Sequence, residues 1–258
     1  MSLVGKTALV TGAAKRLGRE IALALAEVGA EVILHVNSSA GDAVAQEIQR
    51  LGRHAAVVRG DLSQVEETLR VAREACTLAR DGTIDILVNN AAVFAPSSLA
   101  RTSLSEWQRM VRVNLTAPFI FALTLGRNMR RAGSGNIIQL GDWSGQRPVP
   151  GYVPYCVSKG GLHVLTLALA KALAPRVQVN EVVLGPVLLP EEYDEQDTRV
   201  LLQQTPLRRL GNVADVVRTV RFFAEASDHQ RAAWNAALEE AAKQKAHNIA
   251  VSIRSLKA

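Results

Sequence analysis

The chain has 258 residues, 48% apolar and 21% charged, with a net charge of +6 at neutral pH. Such a chain carries one large α/β domain or two small ones, and its balance excludes the disordered and fibrous classes. The tightest basic group, RNMRR at Arg127–Arg131, is expected at a solvated helix end, so nucleic acid is not an expected partner.

MSLVGKTALVTG runs straight into a strand and a glycine turn, and no secretory signal is expected there. TALVTG, 7–12, reads as the first buried strand, and LGREIALALAEVGA as a helix with Ile21, Leu25 and Val28 on one stripe. EVILHV is the second strand and GDAVAQEIQRLG the second helix. HAAVVRGDL is the third strand, followed by the long helix QVEETLRVAREACTLARD. IDILVNNAA is the fourth strand, and residues 105–131 are a long helix or a broken pair. GNIIQLGD is the fifth strand, a helix carrying Lys159 follows, and VQVNEVVLGP is the sixth. The longest apolar run, LHVLTLALA, stops at Lys171, too short to cross a bilayer, so no membrane association is expected.

Strands of unbroken Val, Ile and Leu are buried on both faces, as in a parallel sheet. Their alternation with helices predicts a doubly wound, Rossmann-type α/β fold, a single domain over residues 1–228. Residues 229–258 read as an atypical extension: a charged, Ala-rich helix and then the alternating HNIAVSIRSL, a short half-buried strand. Cys76 and Cys156 lack metal-ligand spacing, which predicts no metal site and fits a reducing, cytoplasmic location.

Two stretches carry chemistry. TGAAKRLGRE, Thr11–Glu20, follows the first strand and opens the first helix. Glycines there let backbone N–H groups approach a pyrophosphate at a helix N-terminus. The second strand ends at Val36, where an NAD enzyme places an acid on the ribose. Asn37, Ser38 and Ser39 follow instead, and Arg16 lies in the turn, which favours a 2′-phosphate and hence NADP(H). The other reading of Arg16 is a surface charge. The second stretch ends in Tyr155 and Lys159, four apart and so on one helical face, with Asp142 thirteen residues before the tyrosine. An ammonium one turn away is expected to lower the phenol's pKa.

Together these features resemble the short-chain dehydrogenase/reductase family, from about Leu3 to Asp228. The carriers are TGAAKRLG at Thr11–Gly18, NNAA at 89–92, Asn114 in VNL, and YCVSK at 155–159. Two positions depart from the family pattern: Arg16 replaces a glycine, and Asp142 replaces a serine. Both, with an aromatic at Phe94, resemble the pteridine reductases and short-chain dihydromonapterin reductases. The resemblance implies cofactor contacts at Gly12, Arg16, Leu17, Gly18, Asn37, Ser38, Ser39, Asp61, Asn90, Ala91 and Lys159. It implies Asn114, Asp142, Tyr155 and Lys159 as catalytic groups, with Asn114 positioning a water. Phe94, Asp142 and Tyr155 would meet a pterin, and the protein would be a homo-oligomer, a tetramer or dimer. A carboxyl that hydrogen-bonds the tyrosine suits protonation of a ring nitrogen; a ketone needs only a hydroxyl. Other readings stay open: Asp142 as a strand-end acid with Ser144 as the hydroxyl, and Phe94 as a core or lid residue. Beyond the pterin reductase stand a 3-oxoacyl-type carbonyl reductase and a silent dinucleotide-binding scaffold. The family's usual last strand, led by T-G and closed by V-D-G-G, does not occur here; IAVSI, 249–253, is expected at the vacant sheet edge. The segment 186–207 is expected to cover the pocket.

Overall fold

A computed structural model describes residues 3–190, 193–225 and 251–255. The apolar strands are β1 (Thr7–Thr11), β2 (Glu31–Val36), β3 (Ala55–Arg59), β4 (Ile86–Asn89), β5 (Gly135–Asp142) and β6 (Val177–Leu184). β7 (Val251–Ser255) completes the sheet among the described residues. The order is β3-β2-β1-β4-β5-β6-β7, with the first six strands parallel and β7 antiparallel on β6. The chain starts in the middle and winds outward both ways, so β1 and β4 flank a topological switch point. A crevice opens there at the carboxyl ends of the strands. The expected edge strand forms two residues later than IAVSI; the Ala-rich helix expected before it lies outside the described residues.

Helices α1 (Arg16–Glu27), α2 (Asp42–Arg50) and α8 (Val213–Glu225) accompany one face of the sheet; α3 (Val65–Leu78), α5 (Ala117–Ala132) and α6 (Val153–Leu173) accompany the other. Each covers its face with an apolar stripe. In α1 this is Ile21, Ala22 and Leu25, with Val28 partly buried just beyond the helix end. The stretch read as a long helix or a broken pair is broken. α4 (Leu104–Val111) runs into one π turn, Arg112–Thr116, before α5. Pro118 fits the first turn of α5, where its missing N–H leaves no bond unmade. The covering segment is also more ordered than expected. It contains α7 (Glu195–Gln204), whose first turn is closed by reciprocal bonds between Asp194 and Asp197. By length and hydropathy, 1.2 on average, the 21-residue α6 is able to span a bilayer. The apolar run read in the sequence is shorter, because the helix begins nine residues before it, at Val153. In this fold it lies on the sheet, burying Tyr155, Ser158, Lys159, Leu162 and Thr166.

Two neighbouring phenylalanines of α5 test this packing. Phe121 is 0% exposed against the sheet, whereas Phe119 is 44% exposed. Phe121→Ala is expected to lower unfolding free energy by about 3–5 kcal/mol, the usual penalty for emptying a core aromatic site. Phe119→Ala should lower it by less than about 1 kcal/mol. Urea unfolding of both variants checks the face assignment; equal losses would contradict it.

Candidate active site

The glycine turn shapes one half of the crevice. Gly12 adopts φ +65°, and a side-chain carbon on Gly18 would collide with the carbonyl oxygen of Gly12. Both glycines are therefore required by the turn itself. Asn90 braces it, its Nδ2 donating to the carbonyls of Thr11 (2.8 Å) and Gly12 (3.2 Å). Thr11 Oγ1 accepts from the backbone N–H groups of Asn90 (2.9 Å) and Ala91 (3.0 Å). The N-cap of α1, Lys15, makes no side-chain cap, which leaves the first N–H groups of the helix facing the crevice. A cleft of about 1070 Å³, open mouth included, follows, touching Gly12, Arg16, Leu17, Gly18, Asn37, Ser39, Asp61, Asn90 and Ala91. These residues fit a dinucleotide: tight glycines, uncapped helical donors, and polar groups where β2 ends.

Three cofactor residues sit differently from expectation, and one of them, Lys159, is buried and does not line this cleft. Ser38 is exposed and does not line the cleft, while its neighbours Asn37 and Ser39 do. Arg16 occupies the left-handed region, φ 52°, where the family pattern has glycine. Its guanidinium donates to the carbonyls of Leu188 (3.1 Å) and Leu189 (3.0 Å), in the segment after β6. β6 and β2 lie on opposite sides of β1 in the sheet. The side chain therefore reaches away from the ribose end and clips the covering segment across the cleft. The left-handed backbone redirects it.

The second half of the site joins β5 to α6. Tyr155 Oη donates to Asp142 Oδ2 at 3.0 Å, while Asp142 Oδ1 accepts from Ser144 N at 2.9 Å. One carboxyl oxygen is thus held by the backbone and the other faces the phenol. Ser144, the alternative hydroxyl, is buried and supplies its backbone N–H to Asp142. Lys159 is buried, donates from Nζ to the carbonyl of Leu140 (2.7 Å), and stands 5.8 Å from the centre of the Tyr155 ring. Burial pushes the Tyr155 phenol well above its ordinary range, and the Asp142 carboxyl adds to that push. This corrects the expectation of a lowered pKa: desolvation and a facing anion outweigh the ammonium, whose proton is directed at a carbonyl. The phenol is a stored proton rather than a ready phenolate. Burial also pushes Lys159 below its ordinary value, against the opposing pull of the Asp142 and Glu181 carboxyls. Asn114, in the π turn, has both ends of its side chain engaged. Oδ1 accepts from Val93 N (2.8 Å), and Nδ2 donates to Val93 O (2.9 Å) and Ser158 Oγ (3.0 Å). Ser158 Oγ then donates to the Tyr155 carbonyl (2.7 Å), so Asn114 ties the strand-β4 loop to α6.

Phe94 lies beside the reacting group. Its ring meets Tyr155 edge-on (centroids 4.8 Å) and stacks on Tyr152 (4.9 Å, 15°), and it is 44% exposed. It is neither a core residue nor remote from the site. Tyr152, whose hydroxyl is 3.3 Å from that of Tyr193, was not among the sequence candidates. Its place three residues before Tyr155, at the cap of α6, was the available signal. His35 was also missed. Its Nδ1 accepts from Gly12 N (3.3 Å) and its Nε2 donates to Gly60 O (3.0 Å), so a neutral imidazole supports the turn from β2. Alternating position inside a buried strand was its only signal. Cys156, next to Tyr155, is buried against Val149 and packs as expected. Among the described residues no cluster of His, Cys, Asp and Glu is arranged for a metal.

The chain is similar to known proteins. The short chain dehydrogenase family profile matches residues 6–200. A 3-oxoacyl-[acyl-carrier-protein] reductase of Synechocystis sp. is 34% identical over 226 residues, covering 86% of this chain and 90% of that protein. The crystal structure of FolM Alternative dihydrofolate reductase 1 from Brucella canis, complexed with NADP, superposes with a TM-score of 0.78 at 32% identity. It covers 87% of this chain and 89% of that one. A blue fluorescent protein from a metagenomic library, in complex with NADPH, gives 0.79 at 28% identity, covering 86% and 91%.

The buried imidazole makes the turn sensitive to acid. Burial pushes His35 down to about 4 from an ordinary 6.5, against the smaller raising effect of its bond to Gly60. A lowered folded-state pKa gives stability that is complete above 6.5 and is lost as pH falls toward 4. The loss is on the order of 3 kcal/mol from that shift. Urea unfolding between pH 7.5 and 4 should show it, and His35→Gln should flatten that part of the profile. An unchanged slope in the variant would place the acid sensitivity elsewhere.

Proposed function

The chain belongs to the short-chain dehydrogenase family, and from that membership we propose an NADP(H)-dependent reductase of a pterin or dihydropterin C=N bond. The coarse activity, NAD(P)-dependent oxidoreduction, is that of the family. The observation that carries the finer reading is the 3.0 Å bond from Tyr155 Oη to Asp142 Oδ2. A nicotinamide held in the cleft would supply a hydride to a substrate carbon. The nitrogen beside that carbon must then gain a proton. A phenol kept protonated by burial can supply it, and the Asp142 carboxyl, fixed by Ser144 N, relays it through Oδ2. Lys159, fixed at this end of the site through Leu140, would hold the ribose; Asn114 anchors the strand-β4 loop to α6. Phe94 and Tyr152 offer a flat aromatic wall beside Tyr155, suited to a planar heterocycle. Val36 at the acid position, with Asn37 and Ser39 lining the ribose end, supports NADP(H) over NAD(H). Arg16 contributes by holding the covering segment. We propose a cytoplasmic location from the two lone cysteines, and a homo-oligomer from the family resemblance.

The second reading is a carbonyl reductase of the 3-oxoacyl type. The curated relatives favour it, since the Synechocystis protein bears that name at 34% identity. A ketone oxygen needs a neutral donor, which the Tyr155 phenol also supplies. The two readings part at Asp142. A silent scaffold is the least supported, because Asn114, Tyr155 and Lys159 all converge on one site.

Asp142→Ser separates them. It is expected to lower kcat/KM for a dihydropterin by about 10²–10⁴-fold, the usual loss of one proton route. For an acetoacetyl thioester or a reactive diketone the change should stay within about 10-fold. Tyr155→Phe should abolish both activities while NADPH still binds. A wild type that reduces the thioester and ignores the dihydropterin would establish the second reading.

A further inference from the structure

A polar row crosses the α6 face of the sheet beneath the catalytic helix. Asn89, Gln139 and Glu181 stand side by side in the registers of β4, β5 and β6, all buried. Glu181 is the acid of this row, 2% exposed. An isolated buried carboxylate is strongly disfavoured unless it is paired. One group bonds it and a second lies nearby, both on α6 and one turn apart. His163 Nδ1 lies 2.6 Å from Glu181 Oε2. Lys159 is the other. Its Nζ donates to the Leu140 carbonyl, and on the next residue, Gly141, a side-chain carbon would collide with Glu181 Oε1. Ammonium and carboxylate therefore flank the same peptide of β5. Glycine at 141 makes room for the acid.

We infer that Glu181, gripped by His163, is the buried counter-anion of Lys159 and a positioning residue for this site. Its carboxylate offsets the desolvation of the ammonium, and His163 fixes the carboxylate from the half-buried side. The direction of the two acids' influence on Lys159 agrees: burial lowers its pKa, and Asp142 and then Glu181 raise it. Other charged groups near the helix are engaged elsewhere. Glu106 of α4 caps Ser103, Arg109 lines the cleft, and Arg112 donates to the Ser63 carbonyl. Arg127, Arg130 and Arg131 of α5 are exposed. On Lys159's own helix the titratable neighbours are Tyr155, Cys156 and His163, and the β7 register sets Arg254 opposite Glu181. The inference rests on the proposed function only in taking Lys159 as a site residue.

The test reads the lysine directly. The ε-carbon of Lys159 is followed by NMR against pH in the cofactor-free protein, its resonance identified by its loss in Lys159→Met. Glu181→Gln, which keeps the size and a hydrogen-bonding end, should lower the Lys159 midpoint by about one pH unit. His163→Leu, which frees the carboxylate, should lower it by less, and serves if the first variant fails to fold. A midpoint shared by wild type and the variants would overturn the inference. NADPH affinity measured across the same pH range distinguishes the two levels. An acidward shift of its high-pH loss, matching the NMR, supports both. A moved midpoint with NADPH affinity indifferent to it supports the counter-anion and removes Lys159 from cofactor binding.

Discussion

Gly145 packs so tightly on α6 that a side-chain carbon there would lie 2.7 Å from the carbonyl carbon of Lys159 and 2.8 Å from Gly160 N. This contact between a turn and a helix backbone places the end of β5 against the first turns of α6. Asp142 is the last residue of β5 and Tyr155 lies in the first turn of α6, so the closeness of two backbones brings a carboxyl to a phenol. The same geometry lets Lys159 reach back to the Leu140 carbonyl. Asn114 and Ser158 then pin the strand-β4 loop to the same helix. Side chains alone would not hold these groups without large entropic losses; rigid, glycine-permitted packing does.

Low exposure then turns geometry into chemistry. In water a phenol beside an ammonium would lose its proton more readily. Here the phenol is buried and faces a carboxyl, so the proton is retained and a reduction has an acid at hand. A serine in place of Asp142 would keep a hydrogen bond and lose the facing carboxyl.

Much of this was legible in the sequence. Six parallel strands followed from unbroken Val, Ile and Leu runs, because burial on both faces leaves no room for alternation. The Tyr155, Lys159 and Asp142 spacings follow from helix periodicity and a family pattern; Tyr155 and Asp142 meet, and Lys159 stands 5.8 Å from the tyrosine ring centre. What was not legible depends on contacts between distant segments. Spacing alone leaves open where the Arg16 guanidinium points, since a left-handed backbone turns it to residues about 170 positions away. The rise in the Tyr155 pKa depends on burial, which spacing does not report. His35 and Glu181 sit in strand positions that read as core, and only the fold shows what each faces. The π turn at 112–116 has no composition of its own.

The account centres on a tyrosine that keeps its proton because it is buried against Asp142. The protein has three tyrosines, and ζ-13C labelling followed by NMR against pH resolves Tyr155 from Tyr152 and Tyr193. Tyr155 should remain a phenol through pH ~10, the ordinary midpoint of the side chain, and Asp142→Asn should bring its midpoint down. A Tyr155 that ionises below that value in the wild type, or one whose midpoint ignores the loss of the carboxylate, would contradict the account.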